Sequence, residues 1–286
     1  MTANQAPVPA KDSLDGRTIV ITGSSSGLGR AAAIELGRRG ATVAVVGRNP
    51  ERTAEAAHLA GGTAFVADFD HLDQVRGLAD ALLSRYERID VLANNAGGLM
   101  TSRQVTADGF ERTFQSNHLA PFLLTNLLLE RITAGGGRVL STASSSNTIA
   151  RLDFNDLNFE RLPWRGGWQA YGTTKLETIL FIKELARRTA GTGLDAYSFH
   201  PGYVASNFGA EIAIMKFAQA ISVGRLGLSP ERGAEPLIVL AQAADVGAPS
   251  GTYFSRLHPN GRTQRIANDP AAARTLWEKS AELVGL

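Results

Sequence analysis

The chain has 286 residues, 44% apolar and 20% charged, with 29 basic residues against 27 acidic ones. That length buries a substantial core in one large domain or two small ones, and the near balance of charge excludes a bulk binder of nucleic acid or membrane surface. The absence of cysteine rules out disulfides, thiol catalysis and Cys-ligated zinc, and fits a reducing compartment.

Residues 1–13, MTANQAPVPAKDS, read as a flexible tail with neither the basic start nor the apolar run of a signal peptide. The longest uncharged run, Thr113 to Leu129, is too short and too polar to span a bilayer, so the expected setting is cytoplasmic. From residue 14 onward, seven short apolar runs read as strands: RTIVIT, ATVAVVG, GTAFVAD, IDVLANN, GRVLST, GLDAYSFH and GTYFS. Helical stretches such as LGRAAAIELGRR and LDQVRGLADALLSRY separate the first six. Strands apolar on both faces, alternating with amphipathic helices, predict βαβ units around a buried sheet. The expected fold is α/β: residues 14–286 form a single-domain Rossmann fold, a doubly wound seven-stranded parallel sheet with helices on both faces. Two segments break the rhythm, 147–168 and 208–228. Both leave the carboxyl edge of the sheet, where ligands bind in such folds, and are expected to enclose a substrate.

The first strand runs directly into TGSSSGLGR, which places Gly23, Ser25, Ser26, Gly27, Leu28 and Gly29 in a tight loop before a helix. The Gly-x3-Gly-x-Gly spacing differs from GxGxxG, but the physics is shared. Backbone approaches a pyrophosphate closely, and the helix N-terminus offers free N–H groups to an anion. At the end of the second strand, where an acidic residue would hold a ribose 2′-hydroxyl, the chain has Gly47, followed by Arg48 and Asn49. A carboxylate repels a 2′-phosphate whereas a guanidinium pairs with it, so the expected cofactor is NADP(H) in preference to NAD(H). Asp68, followed by Phe69, ends the third strand and is placed to accept from an adenine amine. The run NNAG ends the fourth strand and sets Asn95, Ala96 and Gly97 under the cofactor.

In QAYGTTKLE, Tyr171 and Lys175 lie one helical turn apart on one face. An ammonium about 4 Å from a phenolate contributes roughly 4 kcal/mol at an effective dielectric near 20. That corresponds to a pKa fall of up to ~3 units before desolvation subtracts from it. Lys175 is thus expected to lower Tyr171 into an acid–base range. Upstream, in FQSNHLAPFLLT, Pro121 has no N–H to bond the carbonyl of Asn117 in a continuous helix.

Together TGSSSGLG, NNAG, the Tyr171–Lys175 pair and HPGYV resemble the short-chain dehydrogenase/reductase family, in its order and at its separations, over residues 14–286. DLNFERLPW and SGTYF look most like its retinol-dehydrogenase-like branch. The resemblance implies that Tyr171 is the acid–base catalyst and that Lys175 also holds the nicotinamide ribose. It implies that Ser144 in STASSSN polarises the substrate oxygen, with Ser145 and Ser146 as alternatives, and that Asn117 holds a water leading protons toward Lys175. Pro201, Gly202 and Val204 would turn against the nicotinamide. Ser206 stands where a threonine is common and would keep a hydroxyl contact. His200 has no second histidine at ligand spacing, so it reads as a packed residue and no metal site is expected.

The expected function is an NADP(H)-dependent oxidoreductase interconverting a carbonyl and an alcohol on a small, apolar substrate. The alternatives are a non-catalytic dinucleotide-sensing regulator and a carbon–carbon double-bond reductase; the cysteine that such reductases employ is missing here. Residues 108–133 and 169–189 carry Leu123, Leu127, Leu128, Leu176, Ile179 and Leu180 beyond the needs of one core face. They are expected to form the interface of a homodimer or homotetramer.

Overall fold

The computed structural model describes residues 13–161, 163–203 and 227–286. Val204, Ser206 and nearly all of the second expected insertion, 208–228, lie outside the described residues, as does the tail up to residue 12.

All seven strands read from the sequence are present: β1 (Thr18–Thr22), β2 (Thr42–Gly47), β3 (Thr63–Val66), β4 (Val91–Asn94), β5 (Arg138–Thr142), β6 (Asp195–His200) and β7 (Tyr253–Ser255). They lie parallel in the order β3-β2-β1-β4-β5-β6-β7, which reverses direction between β1 and β4. The purely parallel, seven-stranded sheet is corrected by one further element. The chain turns back after β7 through Arg256 at φ 56°, and β8 (His258–Pro259) pairs antiparallel with β7, so the sheet is mixed and has eight strands. A two-residue strand carries no periodicity, and its proline argues against a strand anywhere except at an edge, which is where β8 sits.

The sheet is covered on both faces. On one side α1 (Gly27–Arg38), α2 (Pro50–Ala60) and α7 (Pro230–Gln242) pack on Ile19, Ile21, Val43 and Leu140. On the other, α3 (Leu72–Arg85), α5 (Ala120–Ala134) and α6 (Trp168–Arg188) pack on Val20, Leu92 and Val139. Helix boundaries follow local chemistry. Asn49 accepts from the Arg52 N–H at 2.9 Å to start α2, with Pro50 next, and Gly61 ends the helix at φ 62°. Asp269 and Pro270 open α8 (Pro270–Val284), and Gly285 at φ 70° closes it.

The segment before Pro121 is not one continuous α-helix. A single turn, α4 (Arg112–Phe114), leads into a π turn over Gln115–Leu119, where Ala120 N–H donates to Gln115 C=O, and then into α5. Such widened turns cluster at functional sites, and this one carries Asn117.

The apolar surplus on α5 and α6 is consumed inside the chain. Leu123, Leu128, Leu176, Ile179 and Leu180 are fully buried. Trp277 of α8 packs edge-to-face on Phe122, with ring centroids 4.9 Å apart, and against Phe181 at 5.7 Å. The side chains on which the expected interface rested are therefore not available to a partner, Leu127 excepted in part. Among the described residues no helix is long and apolar enough to cross a membrane.

Candidate active site

At the carboxyl edge, the loops after β1 and β4 hold each other. The Thr22 hydroxyl accepts from the backbone N–H groups of Asn95 and Ala96, both at 3.0 Å, and the Asn95 amide donates to Thr22 C=O at 3.0 Å. Ser24 is buried and ties the same loop to Ile21 C=O at 2.6 Å. The loop thus stands fixed while α1 begins at Gly27 with neither a side-chain cap nor an acidic residue in its first turn. Its first N–H groups and its dipole are left for an anion.

Gly47 decides what the end of β2 can hold. A Cβ there would lie 2.5 Å from Thr53 Oγ1 and 2.7 Å from Ser25 Cβ, so a carboxylate side chain at this position would have to displace them. Arg48 is exposed beside it, and Asn49 is occupied in capping α2. This donor set fits a 2′-phosphorylated dinucleotide. Asp68 lies close by but spends Oδ1 on the Asp70 N–H at 3.1 Å. Phe69 is buried in the core, which leaves only its backbone for a ligand. Gly97 is exposed, and a Cβ on it would approach Asn117 Oδ1 at 3.0 Å and Lys175 Nζ at 3.3 Å. The NNAG run therefore lies directly against the chemistry-bearing end.

That end is built on α6. Tyr171 and Lys175 are both buried, and Lys175 Nζ lies 5.5 Å from the centre of the Tyr171 ring. Lys175 Nζ donates to Thr142 C=O at the end of β5, at 2.8 Å. The Ser144 hydroxyl hydrogen-bonds the Tyr171 phenol. Gly172 makes this pairing possible. A Cβ there would lie 2.6 Å from Ser146 C=O and 3.0 Å from Ile149 Cγ1, so only glycine lets the 3-10 turn Ser145–Ile149 rest on α6 with Ser144 at its head. Of the serine cluster, Ser144 is the one that meets the phenol.

The electrostatics differ from the expectation. Burial lifts the Tyr171 phenol above its ordinary range, the Ser144 hydrogen bond opposes the shift, and Tyr253 and Tyr203 add to it. Burial also pushes Lys175 down to about 8. Burial therefore works against the expected lowering of Tyr171 by Lys175.

Asn117 is fully engaged. Its Oδ1 accepts from the Gly98 N–H at 2.9 Å, while Nδ2 donates to Gly98 C=O at 2.9 Å and to Thr174 Oγ1 at 3.2 Å. It ties the loop after β4 to α6. Between Asn117, Pro121, Ser141, Asn94 and Lys175 lies a cavity of about 10 Å³, room for roughly one water. Asn94 and Ser141 line it, and Asn94 Oδ1 and Ser141 Oγ have no hydrogen-bond partner among the described residues. His200 ends β6, and burial holds its pKa low, as a packed, neutral residue requires. Pro201 and Gly202 follow it at the same edge, with Pro201 buried.

Three contributors escaped the sequence reading. Thr142 receives Lys175. The Tyr253 hydroxyl bonds the Asn147 side chain, and Asn147 Nδ2 donates to Ser144 C=O at 2.8 Å, bracing the serine from behind. Tyr253 carried a usable signal, its place in the last parallel strand. Thr142 and Asn147 carried none, since each acts through a contact distant in sequence.

The chain matches the short chain dehydrogenase family over residues 17–155. Relatives 36% and 45% identical align with nearly its whole length, and the chain belongs to the short-chain dehydrogenase/reductase family. A Streptomyces sp. (strain C5) protein, "Putative daunorubicin C-13 ketoreductase DnrU", is 45% identical, with 95% of this chain and 94% of that one aligned. Human retinol dehydrogenase 13 is 36% identical over 97% of this chain and 87% of its own. Among solved structures, an uncharacterized protein from Mycobacterium paratuberculosis superposes with a TM-score of 0.79 at 34% identity, covering 96% of this chain and 95% of that one. The RhlG/NADP active-site complex of Pseudomonas aeruginosa gives 0.67 at 26% identity, covering 85% and 95%.

Proposed function

We propose that the protein is an NADP(H)-dependent carbonyl reductase acting on an apolar ketone or aldehyde. The observation that carries this reading is the hydrogen-bonded pair of Ser144 and Tyr171, with Lys175 anchored beside it on Thr142 C=O. NADP(H), when bound, supplies or accepts the hydride at the substrate carbon. The helix N-terminus of α1 and Arg48 would hold its phosphates, and the backbone of Asn95–Gly97 would lie beneath it. Ser144 then fixes the substrate oxygen, and Tyr171 delivers a proton to that oxygen as negative charge develops there. Lys175 Nζ, facing both Gly97 and the one-water cavity, would hold a ribose hydroxyl and return the proton to Tyr171. That water would sit in the cavity that Asn117 lines.

Relatives support the same chemistry, since the Streptomyces relative is named for ketone reduction and the RhlG structure is a complex with NADP. The retinol-dehydrogenase-like branch and the Streptomyces ketoreductase both point to a bulky apolar substrate. Segment 147–168, strapped to the chain after β4 by Arg103 donating to Phe159 C=O at 3.1 Å, would form one wall of its enclosure. The test is NADPH oxidation by the full chain against a panel of aldehydes, ketones and quinones, with Tyr171→Phe beside it. Turnover in the wild type and its collapse in the variant, with NADPH still bound, supports the reading. Unchanged turnover in Tyr171→Phe rejects it.

A further inference from the structure

Large apolar side chains rarely stay in water when a core is at hand, so their clustering marks a ligand surface. Eight are exposed among the described residues: Leu59, Val66, Val105, Ile149, Trp168, Tyr203, Leu283 and Leu286. Five are scattered over other elements. The remaining three come from three different elements: Trp168 lies beside Tyr171 and Ile149 beside Gly172 on α6, and Tyr203 follows β6 at the carboxyl edge of the sheet.

Ile149 ends the 3-10 turn that rests on Gly172. Trp168 opens α6, its ring 6.3 Å from that of Tyr171 and perpendicular to it. Tyr203 follows β6 and is close enough to act on the phenol. Their exposures are 51%, 37% and 77%. The other aromatics of segment 147–168 are committed to structure. Phe159 is buried, Trp164 donates its indole N–H to Met100 C=O at 3.2 Å, and Phe154 packs against the apolar cluster that includes Leu176 and Leu276.

We propose that Ile149, Trp168 and Tyr203 are the specificity-determining wall of the substrate site, and that they select a planar, conjugated ketone whose ring system lies against Trp168 and Tyr203. The proposal rests on the reading of Tyr171 and Ser144 as the groups that receive the carbonyl. Two of the three side chains offer flat π faces, which gain by stacking on a flat partner beyond what area alone gives. An aliphatic side chain of equal size would gain only the area, and a small aldehyde would not reach the wall.

The test compares 2-acetonaphthone with propanal in the wild type, Trp168→Ala and Trp168→Phe. In Trp168→Ala, kcat/KM for the naphthyl ketone should fall about tenfold more than for propanal, mainly through KM, and Trp168→Phe should recover most of the loss. Isothermal titration of 2-acetonaphthone into Tyr171→Phe and into Tyr171→Phe/Trp168→Ala reads the wall without turnover, with affinity about tenfold weaker in the double variant. Equal losses on both substrates, or equal affinities in the two titrations, overturn the wall and leave the Tyr171 reading standing. Full turnover by Tyr171→Phe would sink the catalytic reading, while the titration would still decide the wall.

Discussion

Lys175 and Glu177 sit two residues apart on α6, both buried, and burial drives both toward their neutral forms, the lysine down to about 8 and the glutamate up to about 8. Their surroundings part there. Lys175 has Thr142 C=O, the Tyr171 ring and a one-water cavity at its ammonium. Both Glu177 carboxyl oxygens lack a hydrogen-bond partner among the described residues, and the buried Glu111 raises its pKa further. Glu111, in contrast, accepts from the N–H groups of Thr113 and Phe114. A displaced pKa therefore does not by itself mark chemistry. What separates the two residues is a connection to groups that could hold a substrate or move a proton.

The largest expected effect probes the connected side. Tyr171→Phe should lower kcat by ~10²–10⁴-fold in a stopped-flow or steady-state NADPH assay, and activity within a few-fold of wild type would break the contrast. Ser144→Ala should cost ~10²–10³-fold in kcat if its hydroxyl steadies the developing oxyanion. A loss confined to KM would reduce it to a binding group. Arg48→Ala should weaken NADPH binding by ~10–100-fold, as expected for losing charge-assisted hydrogen bonds, with NADH affinity unchanged in the same fluorescence titration. The smallest effect belongs to the unconnected side. Glu177 keeps its proton in the fold up to about pH 8 but gives it up near 4.5 once unfolded. Stability therefore falls as pH rises through that window. Glu177→Gln removes this slope and leaves turnover unchanged. Buried His118, whose pKa is pushed down to about 3, acts oppositely between about pH 3 and 6.5 in both proteins. The difference between the two melting-temperature curves thus isolates Glu177, and parallel curves would show that the carboxyl finds a partner.

The parts of the molecule written in local pattern were legible in the sequence. Strand runs such as TVAVVG, the glycine-rich turn before α1 and the i,i+4 pair on α6 each depend on neighbours within a few residues. What depended on distant contacts was not. The Asn147–Tyr253 brace and the partnering of Lys175 by Thr142 need residues tens of positions apart or more. The extent of burial around Tyr171 was illegible for the same reason, since the desolvating shell is tertiary. Leu176, Ile179 and Leu180 show the converse error. Their apolar surplus was visible, but its cover, α8, lies almost a hundred residues downstream.

The two-residue β8 also sets where the sheet stops. An open parallel edge at β7 would present unpaired backbone groups to any extended segment of another molecule. The short reversed ribbon, ending in a proline without an N–H, occupies that row and offers almost no template in its place. An added strand would meet only a two-residue edge at this border, too short to set a register.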